Sequence, residues 1–254
     1  MGEQQELLNY TLQLADNALI YGHRLSEWCG HGPALEVDMA LSNLALDSIG
    51  SARSFYQYAA KLDEGDKSED SYPYLRDVRQ FRNVLLVEQL NGDFAHTIAR
   101  SFYFDAFQEL FYDKLKESKD EQLSAIAAKS LKEVSYHYRF SSGWVLKLGD
   151  GTAVSKEKMQ EGLDDLFVHT SELFIPTELE TSMSKLISAP DLSEIKAQWE
   201  EKIASIISEA GLNLPEDKKT YHAPGGKAGN HSEHLGFLLA ELQFMQRAYP
   251  NSEW

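Results

Sequence analysis

Four acidic residues lie on or beside the apolar stripes of four long helical runs: Asp16, Asp47, Asp105 and Glu133. Few features restrict a fold more. An ionised carboxylate left unpaired in low dielectric costs several kcal/mol. A chain that turns four of them inward must bring metal ions, basic side chains or protons to the same place.

The runs are read from helical periodicity and cover residues 3–28, 34–62, 93–117 and 121–148. Leu8, Leu12 and Leu19 mark the first stripe; Val37, Leu41 and Leu44 mark the second. Ile98 and Phe102 lead to Asp105 in the third, and Ile126 leads to Glu133 in the fourth. No segment alternates convincingly as a strand. Cys29-Gly30-His31-Gly32-Pro33 turns the chain between the first two runs, and Pro33 suits a helix start. Asp16 stands 13 residues before Cys29, and Asp47 stands 14 after Pro33. Asp105 stands 13 before Ser118, and Glu133 stands 13 after Asp120. Equal arms of an antiparallel hairpin predict equal height, so each pair is expected side by side. Two hairpins joined by a long connection suit an all-α, ferritin-like four-helix bundle.

The rest of the chain predicts additional C-terminal helices. They are expected from Ser155 as a cap to Phe174, from Pro176 to the Pro190 break, over 192–210 with Gly211 behind it, and from Ser232 to before Pro250. Residues 63–72 read as a polar loop, 73–90 as carrying a short helix, and 216–230 as a loop. The expectation is one domain over 1–254, with a core bundle over 3–148 and a helical extension over 155–249. The third run is apolar around most of its circumference. It is either a central helix covered by the later ones or part of an interface with another subunit.

A di-iron bundle of the carboxylate class carries a Glu and a His three residues apart on each of two helices, and one carboxylate on each of the others. Here Tyr136 stands three after Glu133, and Gly50 stands three after Asp47. Gly50 cannot ligate. Tyr136 is expected to donate its hydroxyl to a carboxylate. His137 comes one place late, about 40° round the helix from Glu133, and rescues one nitrogen at most. The acids therefore read as the core of a former metal site, with protein groups now balancing the charge. Arg53, Arg100, Lys129, Arg139 and His23 are the candidate partners. The rival reading is a di-iron oxygenase using Asp16, Asp47, Asp105, Glu133 and His137.

Other motifs are weaker. His231 and His234 flank Glu233 without a Cys pair, so zinc is poorly supported. Gly225-Gly226-Lys227 before a helix offers Lys227 as a contact for a phosphate. The one cysteine, Cys29, has His31 nearby but no catalytic frame. With 40 acidic and 24 Lys/Arg residues the net charge is −16, which disfavours nucleic acid and anionic membranes as partners. No signal peptide and no apolar stretch of about 18–20 residues is visible, so a cytoplasmic protein is expected.

Several segments taken in order resemble a known family. They are Tyr10-Thr11-Leu12 to Asp16-Asn17, Arg24-Leu25-Ser26-Glu27-Trp28-Cys29-Gly30-His31, and Leu46-Asp47 to Ala52-Arg53. Leu85-Leu86-Val87-Glu88-Gln89, Thr97-Ile98-Ala99-Arg100 and Arg139-Phe140-Ser141 with Gly143-Trp144 continue the series. Gly225-Gly226-Lys227, His231-Ser232-Glu233-His234-Leu235-Gly236, Ala240-Glu241 and Gln246-Arg247 close it. Over essentially the whole chain this is similar to the structural-subunit family (the PaaC type) of the bacterial phenylacetyl-CoA epoxidase.

The resemblance implies a non-catalytic subunit in aerobic phenylacetate degradation. Its partners would be the di-iron catalytic subunit PaaA and other components of a hetero-oligomeric, NADPH-dependent oxygenase, with homo-oligomers possible in isolation. This chain would bind no cofactor itself, and Lys227 becomes a candidate contact to a CoA phosphate. A helical scaffold unrelated to oxygenation is the remaining alternative, since fold alone does not give function.

Overall fold

The computed structural model describes residues 2–216, 225–250 and 252. Residues 217–224 of the predicted 216–230 loop lie outside the described residues. The fold is all-α, and no strand occurs among the described residues. Four long helices form the bundle: α1 (Glu3–Ser26), α2 (Leu35–Leu62), α5 (Phe94–Leu115) and α6 (Glu121–Gly149). The connection between the hairpins carries α3 (Ser71–Leu75), α4 (Leu85–Glu88) and a short 3-10 turn. The extension holds α7 (Ala153–Phe167), α8 (Glu178–Ile187), α9 (Leu192–Glu209), α10 (Glu233–Leu242) and α11 (Phe244–Ala248). No helix among the described residues is long and apolar enough to cross a membrane.

Local chemistry sets the helix ends. Asp93 caps α5 through the His96 amide, and Asp120 caps α6 through that of Leu123. A capping box of Thr177 and Glu180 starts α8. Gly211, at φ 65°, takes the left-handed conformation just beyond α9. Three expectations for the extension are corrected. Thr152, not Ser155, caps α7, because the Ser155 hydroxyl is taken up by backbone carbonyls. The helix ends at Phe167, and residues up to Phe174 form turns and a short 3-10 segment. The last predicted helix is two, broken at Gln243, whose side-chain amide is drawn to the Pro73 and Arg76 carbonyls.

α5 is the covered helix. α7 and α9 pack on α5 and α6, while α4 and α8 pack on α1. Trp199 of α9 donates its indole N–H to the Tyr103 carbonyl at 2.9 Å, and Tyr103 donates to the Leu163 carbonyl at 3.1 Å. The apolar girth of α5 is thus buried inside this chain, and the uncovered surface of the bundle lies on α2 and α6.

The hairpins differ in register. In the second, Phe102 stacks on Tyr138 and Phe94 meets Trp144 edge-on, so Asp105 falls between Glu133 and His137 in height. In the first, the arithmetic fails. A Cβ on Gly22 would stand 2.9 Å from Ile49 and 3.1 Å from the Ala45 carbonyl and Ser48 Cβ. α1 residue 22 therefore faces residues 45–49, and Asp47 lies beside residues 22–23. Asp16 is six residues lower on α1, about 9 Å along the axis. The cause is the turn, which is not symmetric. Trp28 is anchored on α5 by a 2.9 Å hydrogen bond to Thr97, and α2 begins past the end of α1, with Leu35 72% exposed.

Candidate functional site

Five side chains define the carboxylate level of the bundle: Tyr21 from α1, Asp47 from α2, Asp105 from α5, and Glu133 and His137 from α6. Asp105 is fully buried. The Tyr21 hydroxyl donates to its Oδ1 at 2.8 Å, and its Oδ2 has no partner. Burial pushes the Asp105 carboxyl up to about 6, although His137 and the Tyr21 hydroxyl pull it down. His137, 1% exposed, places Nε2 3.2 Å from Asp47 Oδ2, while its Nδ1 has no partner. Glu133 is about a quarter exposed, with the Lys129 ammonium 3.8 Å away. Its carboxyl is raised by burial and by nearby Asp47, against Lys129 and His137. Half of the expected picture is therefore corrected. Asp105 is an inward acid at this level, whereas Asp47 and Glu133 reach the bundle rim, where water shares their charge.

Asp16 belongs to a different cluster. It is fully buried, and its carboxylate is clamped by the Arg76 guanidinium, the Tyr56 hydroxyl at 2.6 Å and the Arg82 amide at 2.9 Å. Burial alone would push the Arg76 pKa down, but Asp16 and Tyr56 outweigh it and raise it. Neither Arg76 nor Tyr21 was among the residues singled out from the sequence. Arg76 lies 60 residues from Asp16 in a segment without helical periodicity, so no sequence signal links the two. Tyr21 follows Asp16 on the inner side of the same helix, and only the true register shows which of them stands opposite Asp47. Of the proposed basic counter-charges, Lys129 alone has its charged end within ion-pair reach of one of the four acids, while buried Arg100 feels the charge of Asp105 from further off. Arg53 pairs with Glu69, Arg100 bonds the Gln89 carbonyl and Asn91, and Arg139 lies over the Tyr136 ring. Burial and nearby Arg24 lower the His23 pKa, which disfavours a charged imidazole there.

The connection and the C-terminal segment are fastened by buried polar clusters that absorb the remaining motifs. Glu88, fully buried, accepts from the Ser232 amide and the Asn83 side chain and lies 2.8 Å from His231 Nδ1. Burial lowers the His231 pKa, but the bond to Glu88 outweighs this and the net shift is upward. Arg24 donates to the Glu88 and His234 carbonyls. His231 is thus a partner of Glu88, and His234 contributes its backbone. Gly226 lies where a Cβ would stand 1.7 Å from the Asn83 carbonyl oxygen, so only glycine fits. Lys227 overturns its assignment as a phosphate contact. Its side chain is 6% exposed and its ammonium is held by Glu180 at 2.9 Å and the Ile175 carbonyl at 3.2 Å. An acid this close repels a phosphate, and no charge is left over to bind one. Cys29 and His31 are exposed at the helix turn.

The chemistry of this donor set is not that of a di-iron pair. Tyr21 gives α1 a phenol where such a site takes a carboxylate. Gly50 faces open space, with nothing within 4 Å of the position its Cβ would take. Tyr136 is 43% exposed and points away from the level, which corrects the expectation that its hydroxyl serves a core carboxylate. Its neighbour is the Arg139 guanidinium, 5.3 Å from the ring centroid. Among the five side chains that define this level, His137 is the single imidazole. Among the described residues no three His, Cys, Asp or Glu side chains are grouped so as to hold a metal ion.

Comparison with known proteins follows the same line. The family model of phenylacetic acid catabolic proteins, which spans the PaaA and PaaC types, matches residues 1–254. This chain belongs to the phenylacetic acid catabolic protein family. Within that family it is 48% identical to the C subunit of the 1,2-phenylacetyl-CoA epoxidase of Escherichia coli (strain K12), over 98% of this chain and 99% of the relative. The chain is thus similar over nearly its whole length to the C subunit of an epoxidase.

Proposed function

We propose that this chain is a non-catalytic subunit of a phenylacetyl-CoA epoxidase, supporting a di-iron catalytic sister subunit of the PaaA type during aerobic phenylacetate breakdown in the cytoplasm. The observation that carries this reading is the 48% identity to the C subunit of an epoxidase across nearly the full length of both chains. The donor set supports the non-catalytic part. With one imidazole, a phenol in place of one carboxylate and two partly exposed acids, the level lacks the ligands a di-iron pair requires. Electrons from NADPH and dioxygen would then be used in the sister subunit, and this chain would supply rigid helical surface rather than chemistry.

Co-expression with the sister subunit tests the reading. A tag on this chain is expected to retain the sister subunit through gel filtration, and epoxidation is expected only from fractions that contain both. Turnover by this chain alone, or no association between the two, would overturn it.

A further inference from the structure

We propose that Asp105 exchanges its proton with solvent through His137 and Asp47, a relay that crosses the wall of the bundle between α2 and α6. The relay lies within this chain and does not depend on a sister subunit. Two buried atoms point to it. Among the described residues neither Asp105 Oδ2 nor His137 Nδ1 has a hydrogen-bond partner, although both side chains are buried. Buried polar atoms are seldom left unpaired, and those that are mark a chemical role or a water. The two groups are neighbours. Burial raises the Asp105 carboxyl, and the strongest pull against it comes from His137. The Ser141 hydroxyl, one turn beyond His137 on α6, pulls the same way. Asp105 therefore faces this stretch of α6. The ring nitrogens of His137 lie on opposite edges, so with Nε2 3.2 Å from Asp47 Oδ2, Nδ1 turns away from Asp47. Asp47 completes the path outward, since its side chain is 39% exposed.

The steps balance without any further reactant. When His137 donates from Nε2 to Asp47, Nδ1 holds the lone pair of the ring. Protonated Asp105 gives its O–H proton to that lone pair, directly or over one water. An Nδ1–H bond forms and the Nε2–H bond breaks. The proton from Nε2 passes to Asp47 Oδ2 and from there to water. Asp105 ends as a carboxylate, Asp47 returns to one, and the imidazole stays neutral with its hydrogen on the other nitrogen. Proton uptake runs the same steps backward. Imidazole suits the middle place because it accepts at one nitrogen and donates at the other near neutral pH.

The other charged and titratable groups around the pair offer no competing route. From α1, Tyr21 meets Asp105 with a hydroxyl whose pKa is pushed up by burial and by Asp105 itself, so it keeps its proton. Also on α1, His23 is pushed toward its neutral form by burial and by Arg24. From α6, Glu133 stands near Asp47 with the Lys129 ammonium 3.8 Å away. Along α5, Glu109 raises the Asp105 carboxyl, but its own charge is paired with Lys202 of α9. Arg100, also on α5, is bonded to the Gln89 carbonyl and Asn91. No one of these groups bonds Asp105 Oδ2.

The test is a pH jump on the full chain, followed by infrared absorption at the C=O stretch of a protonated, buried carboxyl. A jump from about pH 5 to about pH 7.5 carries Asp105 across its pKa of about 6. Asp105→Asn is expected to remove the band and so to assign it. In the unmodified chain the band is expected to decay well ahead of hydrogen exchange at the buried amides of α5 and α6, which requires local opening. His137→Gln keeps a hydrogen bond to Asp47 but has no basic nitrogen to pass a proton. It is expected to slow the decay on the order of 100-fold. Asp47→Asn, at the rim of the bundle, is expected to slow it as well. Decay at the unmodified rate in either folded variant overturns the relay, and so does decay in the unmodified chain no faster than amide exchange. The absence at about pH 5 of any band that Asp105→Asn removes also overturns it. Should His137→Gln fail to fold, Asp47→Asn decides alone.

Discussion

Replacing Arg76 with Ala is expected to lower the unfolding free energy by about 3–5 kcal/mol, because it strands Asp16 as a buried charge without its counter-ion. Asp16 is fully buried and Arg76 is its one cationic partner in contact; Tyr56 and the Arg82 amide cannot neutralise it. For a chain of this size the melting temperature should fall by roughly 10 °C. The doubly altered chain, Arg76→Ala with Asp16→Asn, should recover a large part of that loss, since it removes the charge together with its partner. Thermal denaturation of the two single variants and the double variant closes the cycle. A loss in the double variant equal to the sum of the singles would show that the pair is not coupled.

Asp105→Asn is expected to act in the opposite direction and to depend on pH. Burial raises the folded-state carboxyl to about 6, against about 3.9 in an unfolded chain. A raised acid binds its proton more tightly when folded, so the folded state is penalised once the carboxyl must ionise. The penalty is absent below about pH 3.9, grows between about 4 and 6, and is complete above. Two units correspond to about 3 kcal/mol. The Asn variant keeps an acceptor for the Tyr21 hydroxyl and has no charge to bury. It should be more stable than the unmodified chain at pH 7.5 by about 1–3 kcal/mol, and the gain should fall to about a third of that at pH 4.5. Denaturant unfolding at both pH values measures it. The same gain at both would mean that ionisation of Asp105 is not its source.

These two residues show what was legible in the sequence and what was not. Helical periodicity places the long helices, because burial of one stripe is a local requirement. The second hairpin has a short, symmetric turn, and counting from it brings Asp105 close in height to Glu133. The first hairpin has a turn anchored sideways by Trp28 on Thr97, and counting puts Asp16 opposite the wrong residues. Gly50 and Tyr136 were recognisable as departures from a ligand pattern by spacing alone. That Tyr136 faces outward while His137 is buried follows from the rotation of α6 against α2, which no single-helix pattern fixes. Arg76 and Glu88 were not legible as charge partners, because each acts across 60 or more residues of intervening chain. Lys227 misled for a related reason: a glycine turn with a lysine looks exposed until Glu180 is folded against it.

The central claim is that protein groups, not iron, balance the acids of this bundle. The decisive measurement is the metal content of the chain purified alone after expression in iron-supplemented cells, with the sister subunit purified in parallel. The account predicts far less than one iron per chain here, no ferric carboxylate absorption, and an unfolding transition that chelators leave unchanged, while the sister subunit holds its metal. About two irons per chain, lost together with stability on Glu133→Ala or His137→Ala, would contradict it.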